Sequence, residues 1–418
     1  MSPIKPLKEM LKRWAPISDD ILTRAGVHPG LYHWMIEADG AYTRFHLRVD
    51  RDGQGLLLAN ATAAARLTPS GVIIAKGILE GVHEQTLLRR LLATFRDATP
   101  QQAGRDIERV RRLFSDLKSP GDNYPILNLF DPIFSDDALS LEKPLSADLP
   151  VASTDRLSRL LDRLWELGIP HVTFLAQEKA DERDLVRAVE RAEDLGMIAG
   201  VRTRGSFLAN GTLLGKLAQA GLDHLDVLYL SSNSRFHDSL AGPGDHEKAT
   251  RSLGLALDDE VCGVAEIVLM RENLETIAQT MESIAALGVR IAAFVGIAAA
   301  GETSDDALSP VELVQAAELV RNAADDFGMR LLWYPPATFD VNVALWKQVR
   351  RLPRCSGATA VRVELDGSVI PATGSFQPAG NILVDPWETI AGRLRGAQGG
   401  RESFSVSAHD RADLAEPR

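Results

Sequence analysis

Residues 171–201 read HVTFLAQEKADERDLVRAVERAEDLGMIAGV. His171–Leu175 is a short strand-like run. Glu182–Leu195 carries apolar residues at helical spacing, Gly196 stops it, and Ile198–Val201 opens the next strand. Strand, helix, glycine and strand make one βα unit. The beat continues in both directions. Upstream, Ile126–Phe130 reads as a strand, and Thr154–Leu167 as a helix ended by Gly168. Downstream come helix Gly211–Ala220, strand Leu225–Leu230, helix Glu247–Leu257 and strand Val261–Leu269. Helix Leu274–Leu287, strand Arg290–Val295, helix Val311–Phe327 and strand Arg330–Tyr334 complete the series. Strictly alternating units give a parallel sheet with helices outside, curled by right-handed crossovers. The expected fold over residues 123–335 is therefore α/β, a partial or full (β/α) parallel barrel. A flat doubly wound sheet is the alternative that the pattern does not separate.

Both flanks break the alternation. In residues 28–117, strand-like Tyr32–Glu37, Thr43–Val49 and Gly55–Asn60 are joined through Asp39-Gly40 and Asp52-Gly53. Helical Pro69–Ile78, His83–Phe95 and Arg105–Leu117 follow. Three strands and then three helices predict a separate small α+β module of winged-helix type. Residues 1–27 begin with an amphipathic helix whose apolar face is Leu7, Met10, Leu11 and Trp14. That face is expected to dock on its own domain; a membrane surface or a partner is the other reading. Residues 336–395 predict a hairpin–helix extension: Val361–Leu365 and Ser368–Pro371 around Asp366-Gly367, then a helix opened by Asp385-Pro386-Trp387. Residues 396–418 are Gly-, Ser- and charge-rich and read as a disordered tail.

Composition narrows the function classes. The chain has 418 residues, 45% hydrophobic and 25% charged, an ordinary globular balance. No apolar run approaches the length of a membrane span, and no export signal is apparent behind Met1–Trp14. A net charge of −11 disfavours gripping nucleic acid through phosphates. The two cysteines, Cys262 and Cys355, exclude a disulfide framework and any all-cysteine metal or iron–sulfur site within the chain. The expected address is cytoplasmic.

Ordered stretches over residues 123–395 resemble a radical S-adenosylmethionine (radical SAM) protein of the peptide-maturase type. They are Leu167-Gly168-Ile169-Pro170-His171-Val172-Thr173-Phe174, then Thr203-Arg204-Gly205, then Ala220-Gly221-Leu222-Asp223-His224-Leu225, followed by Ser231-Ser232-Asn233 and His237-Asp238. The end of the chain resembles the auxiliary-cluster (SPASM or twitch) extension: Cys355, Glu364 through Pro371, Gly380-Asn381-Ile382 and Asp385-Pro386-Trp387. The amino-terminal module resembles the PqqD-like domains that recognise precursor peptides, on Gly55–Asn60 and Ala65-Arg66-Leu67-Thr68-Pro69. Such domains add an extended peptide to a sheet edge.

The resemblance implies a [4Fe–4S] cluster held by three cysteines spaced Cys-x3-Cys-x2-Cys after the first strand, with SAM on the open iron. The chain departs from this at three places. Ser135, Leu139 and Glu142 stand where the ligands belong; leucine binds no iron, and hard oxygens do not hold such a cluster. The Gly-Gly-Glu-Pro signature for the SAM ammonium reads Ala176-Gln177-Glu178-Lys179, and Arg204 replaces asparagine within Thr203-Arg204-Gly205. In the extension only Cys355 remains, with Ala372 where a second cysteine belongs.

Other candidates are weaker. His237-Asp238 and Asp223-His224 are sequence neighbours, so surface or capping roles are expected rather than convergence. Asp136-Asp137 and Asp305-Asp306 read as turns or caps. Cys262 reads as a small buried apolar residue on its strand. Trp333-Tyr334-Pro335-Pro336 reads as core at a strand end.

The expectation is a catalytically degenerate radical SAM-like protein without a cluster or metal. It would bind a precursor peptide or pair with an active radical SAM protein, with no nucleic acid, and touch a membrane only if the amino-terminal helix is exposed. The alternative is an enzyme that retains SAM or another small molecule in the barrel mouth for non-radical chemistry through Glu142, Glu178 and Arg204.

Overall fold

The computed structural model describes residues 20–38, 41–60, 63–118, 143–176, 180–208, 211–299, 308–339, 360–370 and 377–398. The chain divides into two compact units, Met1–Pro125 and Ile126–Arg418.

The first unit is a four-stranded antiparallel meander followed by three helices. Strands β1 (Gly30–Ala38) and β2 (Ala41–Val49) pair along their full lengths. Strands β3 (Gly55–Ala59) and β4 (Ala63–Leu67) continue the sheet in order. Gly53, at φ 85°, makes the β2–β3 turn. The expected Asp39-Gly40 turn lies outside the described residues. Helix Pro69–Leu79 starts where Thr68 Oγ1 accepts the Gly71 N–H, with proline at its first position. Glu84–Thr94 is capped by His83. The third helix runs Pro100–Lys118, longer than the predicted Arg105–Leu117. Thr99 and Gln102 satisfy each other's exposed donors at its start, extending it by a turn. Phe45 of β2 packs edge-to-face on Phe114 at 5.1 Å, joining sheet to helix.

In the second unit seven parallel strands stand side by side in chain order: β5 (Ser146–Pro150), β6 (His171–Leu175), β7 (Ile198–Thr203), β8 (His224–Leu228), β9 (Cys262–Leu269), β10 (Ile291–Ala299) and β11 (Arg330–Phe339). A doubly wound sheet reverses its strand order at a switch point; this sheet never does. With right-handed crossovers, unreversed order puts every helix on one face and curls the sheet. The barrel-type expectation therefore holds over the flat alternative.

The predicted strand Ile126–Phe130 lies outside the described residues. The strand beside β6 is β5, which the sequence reading did not find. At the outer edge of β5 sits β12 (Ala360–Val363), parallel to it, with β13 (Ser368–Ile370) and β14 (Gly380–Asn381) antiparallel beyond. This is the expected hairpin, and helix Trp387–Gln398 follows it. Between β10 and β11 one residue, Gly296, faces the Pro335-Pro336 pair, so the register shifts there. Consecutive prolines lack the amides the ladder needs.

Alternation gives the sheet two faces. Leu149, Phe174, Val201, Val227, Ile267 and Phe294 are fully buried in the core shared with the helices. The residues between them line the inner face.

Candidate functional site

The inner face is polar towards the start of the strands and apolar towards their ends. Its polar side chains are Asp148 on β5, Thr173 on β6, Arg202 on β7, Asp226 on β8 and Glu266 on β9, all buried. Leu228, Val268 and Val295 follow, clustered with Leu230 and Met270.

The first polar group is a row across three strands. His171 opens β6 and His224 opens β8, and their Nε2 atoms lie 2.7 Å apart. The strand between them offers Gly200, where a β-carbon would fall inside the His224 ring. The other ring nitrogen, Nδ1, lies 2.9 Å from Asp226 Oδ1. One proton shared between the two imidazoles, with a carboxylate behind, satisfies this chain. It stands at the amino-terminal end of the strands, whereas parallel barrels carry their chemistry at the opposite end.

The second group is an ion pair. Arg202 Nε donates to Glu266 Oε2 at 2.6 Å, and its Nη2 donates to Oε1. The guanidinium reaches across β8, and both side chains are buried. This bidentate contact fills the middle of the inner face.

The carboxy-terminal ends are tied by backbone-directed side chains. Asn273, buried, donates through Nδ2 to Leu230 O and Val268 O, binding the ends of β8 and β9. Thr203 is buried at the end of β7. Arg204 donates through Nη1 to Ala241 O, at the end of helix Ser234–Ala241. Gly205 touches the backbone of helix Asp245–Asp258, where a β-carbon would fall 2.1 Å from Ala249 N. Thr203-Arg204-Gly205 is thus a packing joint between strand and helices. Ala176 N–H donates to Arg202 O, extending β6 along β7.

Of the remaining predicted site residues, Ser135, Leu139, Glu142, Gln177, Glu178, Lys179, Cys355 and Ala372 lie outside the described residues. So do Asp136-Asp137 and Asp305-Asp306.

His237 and Asp238 correct the surface expectation in part. His237 is fully buried; its Nδ1 accepts from Leu230 N–H and its Nε2 lies 3.2 Å from Asp245 Oδ2. Asp238 does cap: its carboxylate accepts the Gly244 and His246 N–H groups, which hold its carboxyl below the usual range, His246 first. Beside them Tyr229 OH lies 3.1 Å from His246 Nε2. Burial pushes the phenol up and the imidazole down, so both stay neutral near pH 7. Asp223 Oδ2 accepts Ala199 N–H, but its neighbour His224 belongs to the inner face. Cys262 is exposed at the start of β9, not buried. Desolvation on its crowded side, with Asp226 adding, holds the thiol up at about 11. A thiol held up in this way carries little thiolate at neutral pH.

The residues the sequence reading missed are His171, Arg202, Asp226, Glu266 and Asn273. The signal was present: β7, β8 and β9 each carry charged residues in an otherwise apolar run, and alternation assigns them to one face.

The described donor set does not fit a three-thiolate cluster. Chain leaving β5 enters helix Thr154–Glu166 after only Val151, Ala152 and Ser153. These residues bring no thiol, and Cys262 stands at the far end of its strand.

Residues 144–284 match the family model described as the radical SAM superfamily. Over 142 residues the chain is 30% identical to the PqqA peptide cyclase of Rhodopseudomonas palustris, covering 32% of this chain and 36% of that protein. It is 28% identical to that of Rhizobium meliloti, covering 32% and 38%. The match thus spans little more than a third of these relatives' length. Among solved structures the chain is similar to Streptococcus suis SuiB, with a TM-score of 0.53 and 11% identity, covering 85% of this chain and 90% of that one. SuiB bound to precursor peptide SuiA gives a TM-score of 0.50 at 12% identity, covering 85% and 89%. The chain carries a radical SAM-type α/β fold with an amino-terminal antiparallel module.

Proposed function

We propose that this chain is a non-catalytic binding protein on a radical SAM-type scaffold. It holds a precursor peptide, alone or beside an active radical SAM protein that performs the chemistry. The observation that carries the reading is the three-residue passage from β5 to helix Thr154–Glu166. A loop bearing Cys-x3-Cys-x2-Cys needs more chain than that, and the whole chain has two cysteines. The Arg202–Glu266 pair adds support, because it fills the inner face with the protein's own groups. The relatives' printed activity, cyclisation of PqqA peptide, and the SuiA peptide on SuiB motivate the choice of a peptide as ligand. Fold alone assigns no activity.

The test is anaerobic reconstitution of the full chain with iron and sulfide, followed by calorimetry with SAM. The expected result is no cluster absorption and no SAM-binding heat. Stoichiometric iron and sulfide, with reductive SAM cleavage, would overturn the reading. SAM binding without a cluster would favour non-radical chemistry instead; against that, Arg204 is committed to Ala241 O.

A further inference from the structure

We propose that the amino-terminal end of the parallel sheet binds a late first-row divalent metal ion, Zn²⁺ or Cu²⁺, between His171 Nε2 and His224 Nε2. The site is separate from any cluster chemistry and does not depend on the peptide-binding reading.

Two imidazole nitrogens converge on one point there. His171 opens β6 and His224 opens β8; their Nε2 atoms are 2.7 Å apart, with the rings inclined at 69°. They meet across β7 because position 200 is glycine, and any β-carbon there would occupy the space of the His224 ring. Imidazole is the commonest protein ligand for metal ions. Two that converge form a chelate, and copper and zinc bind such nitrogen donors well.

The surroundings favour a cation. His224 Nδ1 donates to Asp226 Oδ1 at 2.9 Å, and Asp226 is only 2% exposed. A buried carboxylate on one ring nitrogen fixes the ring and leaves a lone pair on the other, the outer hydrogen bond that metal-bound histidines typically make. Of the buried charged side chains on the inner face, Asp148, Asp226 and Glu266 are acidic and Arg202 alone is basic. Arg202 is engaged by Glu266. Arg330, which acts on Cys262 from β11, is exposed and screened by water.

The site can also be reached and can adjust. His224 is 15% exposed and His171 half-buried, so an ion enters from solvent at the strand starts. Tetrahedral Zn–N bonds of about 2.0–2.1 Å place two nitrogens about 3.3 Å apart, so the rings must separate by roughly 0.6 Å. His171, at the first residue of its strand, can supply that movement while Asp226 holds His224. The metal replaces the hydrogen shared between the rings, and that hydrogen moves to His171 Nδ1 or to water. Among the described residues no set of three His, Cys, Asp or Glu side chains surrounds an ion. Two protein nitrogens therefore hold it, and water completes the shell.

The experiment titrates the full chain, stripped with a chelator, with Zn²⁺ by calorimetry and with Cu²⁺ by electron paramagnetic resonance. Stoichiometric binding is expected, with hyperfine splitting from two copper-bound nitrogens. His171→Ala and His224→Ala should each weaken binding at least about tenfold, and Asp226→Asn about tenfold to a hundredfold. His246→Ala should leave it unchanged. Circular dichroism checks that each variant folds. A second measurement uses the unaltered chain: diethylpyrocarbonate modifies accessible histidines, and peptide mass spectrometry locates them. Zn²⁺ should protect His171 and His224 and leave the exposed His28 reactive. Absence of stoichiometric binding would overturn the proposal and leave the pair as a hydrogen bond alone. So would binding that survives His171→Ala, or protection confined to other histidines.

Discussion

Gly200 lies under the imidazole of His224: a β-carbon at position 200 would stand 2.0 Å from the ring's Cε1 and 2.1 Å from its Nε2. The missing side chain lets two histidines meet across an intervening strand. Gly200→Ala must displace the ring and separate it from His171. The expected cost is about 1–3 kcal/mol, the usual range for overpacking a filled interior. Urea unfolding measures it, and an unchanged midpoint would show that the ring has another place to go.

The Arg202–Glu266 pair predicts a sharp asymmetry between single and double changes. Glu266→Ala leaves a buried guanidinium without its bidentate acceptor, and should destabilise by about 3–5 kcal/mol. The double variant Arg202→Met/Glu266→Leu replaces both charges with apolar volume and should recover most of that loss. A double-mutant cycle reads the coupling. Equal, additive losses would mean the two side chains do not act together.

Glu312 supplies a pH signature. Its hydrogen bond from Arg271 first, and those from Ser309 next, hold its carboxyl at about 2, against 4.5 ordinarily. A carboxyl lowered in the folded state contributes stability that is complete above 4.5 and disappears as pH falls towards 2. Glu312→Gln should flatten the stability profile across that window and leave its shape near neutrality unaltered. Denaturant midpoints measured through the acid range check this.

Cys262 is exposed yet held up at about 11. Iodoacetamide should therefore label it far more slowly near pH 7 than an ordinary thiol, with the rate climbing into strongly alkaline solution. Mass spectrometry of the labelled peptide follows the reaction. Labelling at pH 7 as fast as a free cysteine would contradict the geometry around it.

The sheet's architecture was legible because hydrophobic periodicity and glycine stops recur with each unit. Gly196 at φ 81° and Gly328 at φ 61° occupy the left-handed position that such stops require. Strands Ala63–Leu67 and Ser146–Pro150, like the short Gly380–Asn381, were not legible. Ala63–Leu67 is mostly alanine, and Ser146–Pro150 contains Asp148 and a proline, so neither shows strand propensity. Both are strands because their neighbours supply hydrogen-bonding partners. The inner-face pairs were hidden for a related reason. His171 and His224 are 53 residues apart, and Arg202 and Glu266 are 64 apart. Only the strand order brings them together. His237-Asp238 drew attention through adjacency, yet each side chain finds its partner in 244–246.

The pairing of Ala360 with Ser146 sets a timetable for synthesis. Each strand from β6 to β11 can dock on its predecessor as it leaves the ribosome. The other side of β5 must wait until more than two hundred further residues have been made. Until then the growing sheet carries an open parallel edge, the kind of surface that recruits chaperones or a second nascent chain. Arrival of β12 ends that interval, because its pairing with β5 covers the edge.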